Sequence, residues 1–291
     1  MGIQNFIKRH PVTVYFILTF LISWGILLLA IGGPGGVVSV NEQFETMLPM
    51  MILAVLAGPS IAGILLTGLF DGRTGLREFR SRLLKWRFGV RWYAVALLFA
   101  PFLFVVLLLV LSLLSPEFLP GIFAAGDKTS HLMMGLMTGL MAGIFEEIGW
   151  TGFATPRLRK RYGILATGLI VGIVWAAWHL LPAFWLGFAS GNISGAISFF
   201  SYLIDPFLFL VASRVLIVWV YDRTGGSLFA GMLMHVSLTA STRIFMPLVI
   251  AGAQLIIFDV TWAAVVWAIL AVLVMSNRFR NGGLEKNIPR A

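Results

Sequence analysis

Glu146 and Glu147 stand side by side at the end of a stretch that is otherwise apolar back to Leu132. An ionised carboxylate in hydrocarbon costs about 3 kcal/mol or more, so ionisable residues kept inside a span mark function. The competing reading is a pair solvated just past the end of a helix. Helical spacing favours the inward one: Gly135, Gly139, Gly143 and Glu147 follow each other at i+4, as do Thr138, Ala142, Glu146 and Trp150. Both carboxylates thus continue stripes of small residues, which let membrane helices approach closely. Two histidines are set similarly. His179 ends Trp175-Ala176-Ala177-Trp178-His179 above Gly168, Gly172 and Ala176, and His235 lies in the series Ser227, Gly231, His235, Thr239, Arg243. A lone histidine among aromatics is usually a packing residue; two of them with two glutamates in nearby spans point to one shared site.

Several chemistries suit that set. Two histidines and a glutamate (His179, His235, Glu146) form a zinc ligand set with a water position left open, although no H-E-x-x-H is present. A proton-coupled carrier would use Glu146, Glu147, Asp205, Arg214 and Arg243 along a pathway, but the inverted repeats expected of one are not visible. A non-catalytic membrane adaptor or immunity protein is the third reading.

The elements that must position these residues are membrane spans. The chain has 291 residues, 59% hydrophobic and 11% charged, with mean hydropathy +0.95, far outside the soluble range. Runs long enough to cross a bilayer fall at residues 12–31, 46–70, 92–114, 131–149, 164–185, 197–221, 227–250 and 256–275. The expected fold is all-α: an eight-helix polytopic bundle. The first run is too long for a signal-peptide core and has no A-x-A site, so it reads as a retained span. Gly58-Pro59 predicts a kink whose freed backbone groups neighbours must satisfy. Residues 71–91 read as a basic loop, in part an amphipathic surface helix. Residues 281–291 read as a disordered tail.

All but three of the 21 Lys and Arg fall at the N-terminus, in 71–91, in 157–161, at Arg223 or in the tail; the exceptions are Lys128, Arg214 and Arg243. The positive-inside rule then puts both termini in the cytoplasm and the glutamates near the cytoplasmic end of span four. One difficulty follows. His179 is some 15 residues into span five, about 22 Å at 1.5 Å per residue, so span five must begin late, tilt or kink to meet Glu146. The net charge of +9 is explained by topology and does not call for a nucleic-acid partner. The absence of cysteine excludes disulfides, thiolate metal sites and thiol catalysis, and no Walker or Rossmann glycine loop is present.

Glu146-Glu147-Ile148-Gly149-Trp150-x-Gly152-Phe153, followed by Trp175-x-x-x-His179 and His235-x-x-x-Thr239, resembles the CPBP family of intramembrane endopeptidases. That family contains the type II CAAX prenyl proteases and the bacterial Abi-like proteins. The resemblance covers residues 132–245, within a division into 1–125 (three helices and the basic loop), 126–250 (protease core) and 251–291 (last helix and tail). It implies a bundle around a cytoplasm-facing cavity and peptide hydrolysis by water. Glu146 would be the general base, Glu147 a positioning group, His179 would orient the water, and His235 with Thr239 would donate to the oxyanion. No cofactor is favoured; zinc is the alternative. The implied partners are a peptide or protein substrate and membrane lipids, with a prenylated C-terminal peptide and a bacterial precursor peptide both open. The implied location is a multi-pass integral membrane protein, in the plasma membrane of a prokaryote. Two positions depart from the motifs. Thr151 replaces the arginine of EExxxR, with Arg243 or Arg157 as substitute cations, and Thr239 replaces the Asn or Asp of the third motif.

Overall fold

A computed structural model describes residues 3–30, 42–189, 196–250, 252–276 and 278–279. After a short helix, Ile3–Arg9, the long helices are α1 (Pro11–Ala30), α2 (Glu42–Leu83), α3 (Val90–Ser112), α4 (Lys128–Gly149), α5 (Ile164–Ala189), α6 (Ala196–Arg223), α7 (Leu228–Phe245) and α8 (Gly252–Met275). Among the described residues seven helices are long and apolar enough to cross a membrane. The helix in the place of the expected sixth span is α6, 28 residues long. The tail from 281 to 291 lies outside the described residues.

Prolines in spans register the helices against each other. A proline cannot donate to the carbonyl four residues back, and hydrocarbon offers that carbonyl no water. Pro59 frees Val55, whose carbonyl takes the Ser23 hydroxyl of α1 at 2.6 Å. Pro101 frees Leu97, which takes the Ser237 hydroxyl of α7 at 2.9 Å. Pro182 frees Trp178, which takes the Trp24 indole N–H of α1 at 3.0 Å. Each proline thus creates an acceptor that one partner helix fills in one register. Two of these clamps grip chain next to a candidate histidine, Trp178 beside His179 and Ser237 two residues past His235.

Glycines set the close approaches. A Cβ at Gly139 would lie 2.7 Å from the Val236 carbonyl and one at Gly143 2.8 Å from the Val236 amide. Only a bare Cα therefore lets α7 seat on α4 beside His235. On α5, a Cβ at Gly172 would lie 2.9 Å from Val211 Cα and 3.2 Å from Arg214 Cβ of α6. One turn above Gly172 is Trp175. These contacts pair α4 with α7 and α5 with α6, and Arg214 of α6 joins the two pairs through Glu147 of α4.

The expected end of span four at Gly149 is corrected. The helix runs on through a π-helical turn, Trp150–Ala154, into Thr155–Leu158. Pro156 is the cause: its missing N–H and bulky ring do not fit a continuous α-helix, and one widened turn absorbs the misfit. Thr155 Oγ1 adds a 2.8 Å bond to the Trp150 carbonyl five residues back. Residues 150–154 are all buried. Glu146 is then about 18 Å from the helix end at Leu158, not at a boundary, and His179 lies at a similar depth from Ile164. At the other end the helix begins at Lys128, earlier than read, because Asp127 caps it by accepting from the Ser130 amide at 3.0 Å.

At Gly72 the chain turns with φ 58° and ψ −148°, which a side chain tolerates poorly. This bend separates the span in α2 from a helix over residues 73–83. Arg73, Arg77 and Arg80 on that helix are exposed, and Phe79 is half-buried against Gly152 of the π-helical turn.

Candidate active site

Glu147 is fully buried and has a partner on every side. Arg214 Nη1 from α6 donates to both its oxygens, at 2.7 and 2.9 Å. Thr151 Oγ1, one turn on, donates to Oε2. His235 Nδ1 from α7 lies 2.7 Å from Oε1. Because that oxygen already accepts from arginine and a carboxylate only accepts, the histidine proton facing it sits on Nδ1. Glu147 is therefore a junction that fixes a cation, a hydroxyl and an imidazole, and it has no spare capacity for a reacting water.

Glu146, 3% exposed, is differently placed. Its Oε2 accepts the Trp175 indole N–H at 2.5 Å, and its Oε1 has no hydrogen-bond partner among the described residues. His179 is half-buried. Its Nδ1 lies 2.9 Å from the Trp175 carbonyl, so that nitrogen is again the donor and Nε2 is left as an acceptor. Trp175 organises the centre. Its ring meets His179 edge-on at 5.3 Å and His235 at 5.1 Å, and the Arg214 guanidinium lies 4.1 Å over it, in cation–π range. Behind His179, Trp178 packs edge-on against Trp150 at 6.0 Å.

The structure thus brings Glu146, Glu147, His179 and His235 together. Thr239, half-buried one turn past His235, takes no part in this network. Neither proposed replacement cation reaches Glu147. Arg157 pairs with Asp71 and donates to the Phe153 carbonyl, and Arg243 is exposed. The cation is Arg214. The side chain of Asp205, included in the carrier reading, lies outside the described residues. Among the described residues no three His, Cys, Asp or Glu are grouped to hold a metal ion. His235 turns Nδ1 to Glu147, and Glu146 turns Oε2 to Trp175.

Residues 128–241 match the family of Rce1-like type II CAAX prenyl endopeptidases. Over that segment the chain is similar to this protease family. A relative named CAAX prenyl protease 2, from Methanococcus maripaludis, is 25% identical over 271 residues, covering 87% of this chain and 95% of its own. The matched segment of the CAAX endopeptidase family contains Glu146, Glu147, His179, Arg214, His235 and Thr239. This similarity, with the apolar helices, supports a multi-pass membrane hydrolase of peptide bonds.

Two parts of the site were not legible as such. Arg214 was visible as a cation within an apolar run, a signal that it must face protein and find an acid. Its acid is 67 positions away on another helix, a distance that periodicity does not bridge. Trp175 was visible only as an aromatic at a motif position. That its N–H reaches Glu146 depends on how α5 sits against α4, which the sequence does not state.

Proposed function

We propose that this chain is a metal-free intramembrane endopeptidase in which Glu146 activates a water molecule, on the cytoplasmic side of the membrane. The division of labour between the glutamates supports this reading most. Glu147 is saturated by Arg214, Thr151 and His235. Glu146 is anchored through one oxygen, with the other available as a base. Water donates one proton towards Glu146 Oε1, and His179 Nε2 accepts from the same water and aims its oxygen. The oxygen attacks the scissile carbonyl carbon as Glu146 takes the proton. His235, held by Nδ1–H to Glu147, draws a second proton from solvent before the attack and donates from Nε2 to the oxyanion; one such donor is worth about 3–4 kcal/mol in well-studied hydrolases. Glu146 then passes its proton to the leaving nitrogen as the C–N bond breaks, releasing an amine and a carboxylic acid that loses its remaining proton to solvent. The substrate is a peptide or protein segment, and the family supports a C-terminal peptide next to a lipidated residue.

Cleavage of a farnesylated CAAX peptide by the full chain in liposomes, followed by mass spectrometry, tests this. Glu146→Gln keeps shape and removes the base, and should cost about a hundredfold to ten-thousandfold. The rate should survive exhaustive chelation. Wild-type cleavage by Glu146→Gln would overturn the assignment of the base. Loss of activity on chelation, restored by zinc, would overturn the metal-free reading.

A further inference from the structure

A second polar cavity lies away from the glutamates. It has a volume of about 560 Å³ and is bounded by the end of the α2 span (Thr67, Asp71), the bent helix after Gly72 (Thr74, Glu78, Arg82), the segment after the π-helical turn (Arg157, Arg159, Lys160) and Tyr221 of α6. Its charges are unequally satisfied. Arg157 pairs with Asp71, and Arg159 is gripped by Asp222 at 2.7 and 2.9 Å. Arg82 and Lys160 form no ion pair among the described residues, and Arg82 has only the Tyr221 hydroxyl at 3.5 Å. Glu78 is the single opposing carboxylate in the lining without an ion-pair partner among those residues. The cavity therefore presents two uncommitted cations beside the hydroxyls of Thr74 and Tyr221.

We infer that this cavity binds the phosphodiester headgroup of an anionic phospholipid. Position decides the class of ligand. The apolar span containing Thr67 ends at the Gly72 bend and the helix containing Pro156 ends at Leu158, so the cavity lies where span gives way to basic surface, at headgroup level. Basic pockets between spans on that side bind acidic headgroups. Arg82 and Lys160 match the phosphate, Thr74 and Tyr221 match the neighbouring ester and hydroxyl oxygens, and the exposed Arg73, Arg77 and Arg80 concentrate such lipids at the rim. The volume falls in the ordinary range for a small-molecule site. This inference concerns binding and stands apart from the proposed catalysis.

The test is lipid binding by the full chain in detergent, measured by native mass spectrometry with phosphatidylglycerol, phosphatidylcholine or inorganic phosphate added. Phosphatidylglycerol should be retained in preference to phosphatidylcholine. Arg82→Gln or Lys160→Gln should each weaken it about fivefold, and the pair about thirtyfold, from roughly 1 kcal/mol per cation. Glu78→Gln should strengthen it. Because Lys160 is exposed, its variant keeps the test open even if Arg82→Gln does not fold. Equal retention of phosphatidylcholine, or unchanged phosphatidylglycerol binding in Lys160→Gln, would overturn the inference. Displacement by equimolar inorganic phosphate would overturn the assignment to a lipid.

Discussion

Nη1 of Arg214 lies 2.7 and 2.9 Å from the two carboxylate oxygens of Glu147, and both side chains are fully buried. The pair joins α6 to α4 at the level of the reacting groups, and His235 is docked on the same carboxylate. Removing one member of a buried pair strands the other charge, at a typical cost of about 3–5 kcal/mol. Arg214→Gln should lower the melting temperature in detergent sharply and abolish cleavage. Arg214→Lys keeps the charge and loses the planar guanidinium that lies on Trp175, so it should fold better than the Gln variant and cleave poorly. An Arg214→Gln protein that melts and cleaves like the parent would show that another cation holds Glu147.

That relationship shows where sequence reading stops. Hydropathy, the small-residue stripes and the histidines are local patterns, legible without knowing which helices meet. Span four was expected to end at Gly149, but the helix runs on to Leu158 in spite of Pro156. The π-helical turn that tolerates it depends on burial of residues 150–154 against Tyr15 and Phe79. The replacement for the missing motif arginine was expected at Arg157 or Arg243, whereas the fold supplies Arg214 from α6. Periodicity places a side chain on a face; it does not say which helix faces it.

Ser237 and Pro101 should be energetically coupled. The Ser237 hydroxyl satisfies the Leu97 carbonyl that Pro101 leaves without a backbone donor. Ser237→Ala should therefore destabilise the protein by about 1–3 kcal/mol through an unpaired buried group. In a Pro101→Ala background residue 101 has its N–H back, and the same substitution should cost much less. A double-mutant cycle from thermal unfolding in detergent reads the coupling, and additive effects would refute it.

Topology follows from the asymmetry of basic residues. Reporters in residues 71–91 and at the C-terminus should both be cytoplasmic, and one near Glu42 should be outside. Finding residues 71–91 outside would reverse the orientation. The candidate site and the basic cavity would then both face away from the cytoplasm.

Trp175 and Trp178 separate a tuning hydrogen bond from aromatic packing. Both indoles are buried and three residues apart, but only Trp175 donates to Glu146, at 2.5 Å; Trp178 Nε1 has no partner among the described residues. Phenylalanine at either position keeps most of the packing and removes the N–H. At Trp175 the loss is a hydrogen bond to an ionised group, worth about 1.5–3 kcal/mol, which corresponds to roughly tenfold to a hundredfold in kcat if the bond holds Glu146 in its reacting position. Glu146 remains a base in Trp175→Phe, so residual cleavage should exceed that of Glu146→Gln. Trp178→Phe removes a donor that is unsatisfied and should stay near the parental rate. Single-turnover cleavage in liposomes, with melting temperatures to exclude unfolding, distinguishes the two. Equal losses at both positions would mean that packing, and not the bond to Glu146, sets the rate.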